Sequence, residues 1–275
     1  MAKTILISWW GKHFGEEPPL VGNFDQGAGA IFFAGCNLKC CFCQNYQISN
    51  TLEGTPYTPE ELASIMLQLQ EQKAVNIDLV SPTLWWQPLR EAIVIAHNKG
   101  LTIPIVWNSN AFEEVSLLKE FEGLVDIYLP DYKYADNKLS LKYSGISKYS
   151  NKALKAIQEM NHQVGKLKTD ENIAYRGLIV RHLVLPNAIE NSINVLKQLA
   201  ELNPKPVVSL MSQYNPMYNA AKFSEINRHL SENEWDKVSK VYKNLGFDGW
   251  IQQMESAHVY NPDFKSDKPF AKVSH

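Results

Sequence analysis

The feature that most limits the fold of this chain is a regular alternation of short β-rich runs with longer helix-patterned stretches along its 275 residues. Strands separated by helix-length segments pair in parallel, each helix crossing back over one face of the sheet. A first strand reads as Ala30 to Ala34, entered from the turn Gly27-Ala28-Gly29 and running into Gly35 and Cys36. Further strand patterns lie at Ile77 to Val80, Ile103 to Trp107, Val125 to Leu129, Leu178 to Leu185 and Val207 to Met211. Between the first two, Thr58-Pro59-Glu60-Glu61 reads as an N-cap, a proline at the first helical position and early acids, ahead of Leu62, Ile65, Met66 and Leu69 at helical spacing. Other helical patterns fall at about 88–99, 113–121, 138–164 and 188–202. Six strands with five crossovers make an α/β protein, a partial (β/α)6 TIM-like barrel, whose strand C-termini open on one face where the loops build the active site. A last helix from about Glu232 to Leu245, with the tail after it, is expected to cover the barrel's open side, and the polar segment after Lys265 to be loose. No linker or repeat divides the chain, so one domain over 1–275 is expected.

The four cysteines, Cys36, Cys40, Cys41 and Cys43, fall within eight residues, whereas a disulfide framework spreads its cysteines to close loops across the fold. Clustered thiols in a reducing compartment point to metal. The spacing Cys36-x-x-x-Cys40-x-x-Cys43 lets one loop wrap three soft thiolates around a 4Fe-4S cube and leave its fourth iron open for chemistry. The competing reading is a zinc site made by the same cysteines and a histidine. Structural zinc usually draws two separated ligand pairs, and the chain has no second cysteine pair. Cys41, adjacent to Cys40, should point away from it and serve as a small buried hydrophobe.

A net charge of −2 leaves no basic excess for nucleic acid. The apolar run Ile5-Leu6-Ile7 meets Glu16, Glu17, Pro18 and Pro19 before any cleavage site, and no stretch approaches the roughly 18 apolar residues of a membrane span. No signal peptide, a cytoplasmic location and no membrane partner are therefore expected.

The cysteine motif, with Phe42 before its last ligand, resembles that of the radical S-adenosylmethionine (SAM) superfamily. Its surroundings are similar to the PflX-like branch related to pyruvate formate-lyase-activating enzymes. The phrases that carry the closer likeness are Gly35-Cys36-Asn37-Leu38-Lys39-Cys40-Cys41-Phe42-Cys43-Gln44-Asn45-Tyr46, Tyr128-Leu129-Pro130-Asp131-Tyr132-Lys133-Tyr134, Arg181-His182-Leu183-Val184-Leu185-Pro186 and Met211-Ser212-Gln213-Tyr214. They span a core of about 22–253, with extensions at either end. The resemblance implies a 4Fe-4S cluster on Cys36, Cys40 and Cys43, SAM chelating the open iron, and reductive cleavage of SAM to a 5′-deoxyadenosyl radical that abstracts hydrogen. It implies a flavodoxin- or ferredoxin-type electron donor and a protein substrate, a glycyl-radical enzyme activated at a backbone glycine. A small molecule or another protein as substrate is the alternative within enzymes. A non-catalytic iron–sulfur or zinc-binding protein is the alternative outside them.

The resemblance also places Phe42 beside the adenine. Where many relatives carry Gly-Gly-Glu to receive the SAM amino group, this chain reads Val80-Ser81-Pro82-Thr83, so Ser81 and Thr83 offer hydroxyls in place of the acid. Trp107-Asn108-Ser109-Asn110 stands where the third strand ends: Asn108 could meet ribose or the methionine moiety, and Asn110 could simply make a turn. Asp131 and Lys133 follow the fourth strand. Arg181 interrupts the apolar fifth strand and must meet an anion, either the SAM carboxylate or Asp131. His182 should face the other way, as a structural histidine. Gln213 and Tyr214 either face the substrate or satisfy local backbone, and the tryptophans carry no assigned chemistry.

Overall fold

The structure is a computed structural model that describes residues 4–23, 25–254, 261–266 and 268–270. Its strands are β1 (Ile5–His13), β2 (Ala28–Phe33), β3 (Thr55–Tyr57), β4 (Ile77–Val80), β5 (Ile105–Ser109), β6 (Ile127–Pro130), β7 (Lys168–Asp170), β8 (Ile173–Leu183), β9 (Val207–Met211) and β10 (Gly249–Ile251). Its helices are α1 (Pro18–Val21), α2 (Tyr46–Ser49), α3 (Pro59–Glu71), α4 (Trp86–Asn98), α5 (Val115–Lys119), α6 (Asn137–Ser144), α7 (Tyr149–Val164), α8 (Ile189–Ala200) and α9 (Glu232–Asn244). The sheet runs β10-β9-β8-β6-β5-β4-β2-β1-β3, with β7 attached to β8.

All six expected strands are present and parallel, in the order β2, β4, β5, β6, β8, β9. The sheet stays open, as a partial barrel does. It is larger than expected, because β10 adds a further parallel strand on β9 while β1 and β3 extend the other edge antiparallel. The apolar residues Ile5 and Ile7 thus belong to an edge strand. The single helical pattern at 138–164 is two helices, broken at Gly145, which takes the left-handed conformation (φ 69°) that closes α6. The pattern at 113–121 gives only the short α5. The Thr58 capping box forms as expected and opens α3.

Strand alternation divides the interior into two layers. Ile31, Phe33, Leu79, Trp107, Tyr128, Val180 and Leu210 point outward into the main core under the helices. Inside the barrel, Leu20 of α1 plugs the bottom against Val106, Ile127, Leu129 and Ile179. Higher inside, the same face carries Asp78, Asn108, Asp131, Arg181 and Ser209, and this polar layer is the ground of the site.

The helix expected to close the open side does form as α9, but it packs on α8, and Trp235, Val238 and Tyr242 are buried on it. The open side is instead covered by the tail, where Phe264 and Phe270 meet Phe32 and Trp9. The stretch after Lys265 is docked where it is described: Pro269 is buried, and the Phe270 ring lies 4.2 Å from that of His13. Residues 271–275 lie outside the described residues. Among the described residues no helix is long and apolar enough to cross a membrane.

Candidate active site

The cysteine loop leaves the C-terminal end of β2 through Gly35, whose φ of 82° favours glycine, with the tips of Leu52 and Leu84 within 3.0 Å of where a Cβ would stand. The loop is then strapped to the end of α6, whose last carbonyls lack helical partners. Lys39 N–H donates to Ser144 O (3.3 Å) and Cys41 N–H to Tyr143 O (2.8 Å). Cys36, Cys40 and Cys43 line one cavity of about 460 Å³ at the mouth of the barrel. Cys41 does not; it is buried in the core, where burial pushes its thiol up to about 11.

Each cavity-facing sulfur has a hydrogen-bonding neighbour. Cys36 Sγ accepts from Leu38 N–H (3.4 Å) and Asn110 Nδ2 (3.3 Å). Cys40 Sγ accepts from the Ser144 hydroxyl (3.0 Å), and Cys43 Sγ lies 3.2 Å from Ser49 Oγ. Such contacts are what tune a thiolate-bound cluster. Burial raises all three thiols, Cys40 to about 12, with Lys133 pulling the other way. They are neutral by themselves, and only a bound metal charge would strip their protons. Three soft thiols on one cavity suit a cube that takes one iron per thiolate, and the chain offers no second cysteine pair for a structural zinc. Ser49, Ser144 and Asn110 carried no sequence signal for this role, because each reaches the sulfur from a different element.

Below the cysteines lies the charged layer. Arg181 donates from Nε to Asp131 (2.7 Å), from Nη1 to Glu16 (2.8 Å) and from Nη2 to Asn108 Oδ1 (2.6 Å). Of the two anions expected for it, the protein supplies Asp131, together with Glu16, which the sequence did not suggest. Lys133 Nζ meets the other oxygen of Asp131 at 2.7 Å. Burial pushes the Asp131 carboxyl up, but Arg181 and Lys133 outweigh it and hold the group down at about 2. Asn108 Nδ2 donates to Asp78 (3.3 Å), whose carboxyl burial and Glu16 push well above the ordinary range. Asp78 interrupts an apolar strand as Arg181 does, and that shared anomaly was the signal that could have found it.

Phe42 and Ser81 also line the cavity. Ser81 takes a left-handed conformation (φ 59°), and its N–H donates to Asn108 O (2.9 Å). Thr83 is not brought there: its hydroxyl donates to the buried carboxylate of Glu113 (2.8 Å), behind the strand. His182 faces away from Arg181, with Nδ1 at 2.7 Å from Tyr132 O. Gln213 lines the cavity, whereas Tyr214 is buried and its hydroxyl donates to Ile226 O (2.7 Å).

The chain matches the 4Fe-4S single cluster domain family over residues 26–150. It is 32% identical over 245 residues to an uncharacterised protein of Methanocaldococcus jannaschii, covering 86% of this chain and 66% of that protein. It is 22% identical over 222 residues to the pyruvate formate-lyase-activating enzyme of Clostridium pasteurianum, covering 78% of this chain and 80% of the relative. Among solved structures, Streptococcus suis SuiB bound to S-adenosylmethionine superposes with a TM-score of 0.58 at 12% identity, over 82% of this chain and 50% of SuiB. The FeFe-hydrogenase maturase HydG of Carboxydothermus hydrogenoformans superposes with a TM-score of 0.53 at 12% identity, over 81% of this chain and 53% of HydG. The chain thus spans about half the length of these two structures.

Proposed function

We propose that this chain is a radical SAM enzyme, with a 4Fe-4S cluster and SAM as its cofactors, and that it abstracts a hydrogen atom from its substrate by that chemistry. When bound, the two cofactors supply a one-electron cleavage of the sulfonium to methionine and a 5′-deoxyadenosyl radical, which takes the hydrogen and leaves a substrate radical and 5′-deoxyadenosine. The electron would come from a flavodoxin- or ferredoxin-type donor. The observation that carries the proposal is the convergence of three thiols from one loop on a single cavity, each with its own hydrogen-bonding neighbour, while the fourth cysteine turns away.

In this reading Cys36, Cys40 and Cys43 each hold one iron. Phe42 offers its ring to the adenine, since a π face accepts any base by stacking. Ser81 offers its hydroxyl and carbonyl to the SAM amino group, and Thr83 shapes that turn from behind through Glu113. Lys133, with one ion pair to Asp131, stands closest in charge to the cysteines and would receive the SAM carboxylate. Asn108, Asp131 and Arg181 brace the pocket floor beneath it. The barrel and the docked tail keep water from the radical.

Two substrate readings remain, each with its own support. Likeness to the pyruvate formate-lyase-activating enzyme favours a backbone glycine of a partner enzyme. The tail segment across the barrel's open side favours a small molecule, because an extended peptide would have to displace Phe264 and Phe270. The second reading is the stronger one on this geometry. Anaerobic reconstitution should yield about four irons and four sulfides per chain, a reducible cluster, and 5′-deoxyadenosine from SAM under reduction. Cys36→Ala, Cys40→Ala and Cys43→Ala should each abolish SAM cleavage, and Cys41→Ala should spare it. One tightly held zinc with no reducible cluster would sink the assignment. A stable glycyl signal in electron paramagnetic resonance with a partner enzyme would restore the first substrate reading.

A further inference from the structure

Behind the cysteine loop, away from the cavity, two hydroxyls lie in series with one sulfur. Ser144 is the last residue of α6, Tyr134 lies in the turn between β6 and that helix, and both are fully buried, so no water competes for them. Ser144 Oγ stands 3.0 Å from Cys40 Sγ, the shortest hydrogen bond to any of the three cavity-facing sulfurs, and 2.8 Å from the Tyr134 hydroxyl. The Tyr134 ring is pinned edge-to-face on Tyr149 at 5.4 Å, and the Tyr149 hydroxyl lies 2.9 Å from Asp131 O and accepts from Lys133 N–H (3.0 Å).

Counting protons fixes the direction of this chain. Ser144 has one hydroxyl proton and two neighbours, while the Tyr134 hydroxyl has no hydrogen-bond partner but Ser144 among the described residues. Burial pushes the Tyr134 phenol well above its ordinary value, so it keeps its proton. A sulfur bound to iron carries none. Tyr134 therefore donates to Ser144 Oγ and Ser144 donates to Cys40 Sγ, since the reverse order leaves the Tyr134 proton without an acceptor and the sulfur without its donor. Each bond in such a series polarises the next, so donation by Tyr134 makes Ser144 the stronger donor. The other two sulfurs have no such support: Cys36 accepts longer bonds of 3.4 and 3.3 Å, and the Ser49 side of Cys43 is partly exposed.

We propose that Tyr134 is a positioning residue for electron uptake: through Ser144 it fixes on Cys40 a hydrogen bond that raises the reduction potential of the cluster. The proposal rests on the radical SAM reading, because it needs the cluster on Cys36, Cys40 and Cys43. One electron arrives from the flavodoxin- or ferredoxin-type donor, no proton is transferred and no ligand changes. The electron adds negative charge at the sulfurs, and a donor held against one of them stabilises the reduced state more than the oxidised one.

The test is a potentiometric titration of anaerobically reconstituted protein without SAM, with the reduced cluster followed by electron paramagnetic resonance. Ser144→Ala should move the midpoint negative by about tenfold in the reduction equilibrium, which for one electron is about 59 mV. Tyr134→Phe, which keeps the ring on Tyr149, should move it the same way by about twofold, the roughly 30% share that cooperativity adds. In the double variant the Tyr134 change should add nothing, because its effect passes through the Ser144 hydroxyl. An unmoved or more positive midpoint in Tyr134→Phe, or an undiminished effect of that change on the Ser144→Ala background, would each overturn the proposal. Tyr134→Phe decides by itself if Ser144→Ala fails to load iron. Iron and sulfide contents of the unmutated protein test the radical SAM reading separately: a loaded, reducible cluster with unmoved midpoints removes the relay alone, whereas no reducible cluster sinks both.

Discussion

At the scale of single residues, the charged layer is held by one guanidinium. Arg181 makes three short hydrogen bonds in three directions, to Asp131, Glu16 and Asn108. Removing it leaves two buried carboxylates facing each other. Arg181→Ala should therefore cost about 3–5 kcal/mol of stability, and Arg181→Lys should not restore it, because one ammonium cannot reproduce the planar fork. Denaturant midpoints of the two variants check this. His182 adds a pH dependence of definite sign. Burial lowers its pKa from 6.5 to about 4, against the bond to Tyr132 O, so the folded protein keeps it neutral. Between those values the unfolded chain takes up a proton that the folded one refuses. The contribution of this group is thus whole above pH 6.5 and lost as pH falls to about 4, on the order of 3 kcal/mol. The buried carboxyls Glu16 and Glu17 are shifted up by burial and act oppositely, so the difference between proteins is the cleaner measure. His182→Asn, whose amide can still donate to Tyr132, should lower the thermal midpoint at neutral pH and flatten its fall toward pH 5.

At the scale of elements, β8 is the strand on which the architecture turns. Its first half forms a hairpin with β7, and its second half runs parallel between β6 and β9, carrying Arg181 to the charged layer. The change of partner falls at Gly177, whose φ is 129° and whose Cβ, if present, would stand 2.4 Å from Leu167 Cα. Gly177→Ala should cost more than about 3 kcal/mol, from backbone strain together with that clash, and should displace Arg181 as well. Loss of stability without a change in SAM affinity would separate the two consequences. The division between α6 and α7 matters in the same way. Gly145 ends α6 just where its free carbonyls can take the loop N–H groups of Lys39 and Cys41, and a continuous helix would have no ends to offer there.

At the scale of the whole molecule, the site is closed by parts remote in sequence. β1 and its following turn supply the floor, and the tail supplies the side wall, tied down by Gln47 Nε2 donating to Asp263 (3.0 Å) and by Phe264 N–H donating to Gln47 Oε1 (2.7 Å). Truncation after Met254 should leave the barrel folded, since the described residues of the tail contribute no strand to the sheet, but open the cavity to water. The rate at which a chelator removes iron from the reconstituted protein should then rise. Phe270→Ala should give a smaller change in the same direction, because Phe264 still covers Phe32. An unchanged rate in the truncated protein would mean that the tail does not seal the site.

Local spacing and strand alternation determined much of this protein by themselves. The three cysteines on one short loop, the six parallel strands and the opposite orientations of Arg181 and His182 are all short-range consequences of sequence, and each could be read directly. Gly145 was equally local, yet the helical patterns on either side of it read as one and concealed the break. What only the tertiary structure decided is which distant groups meet: Ser144 and Asn110 at the sulfurs, Glu16 at Arg181, Glu113 at Thr83, and the tail across the barrel's open side. The hydrogen bonds among those pairings join residues up to 165 positions apart, and Phe32 and Phe270 lie farther apart still. No periodicity encodes such a contact, because it exists only once the strands are in register and a buried charge must find whatever partner the closed barrel has brought within reach.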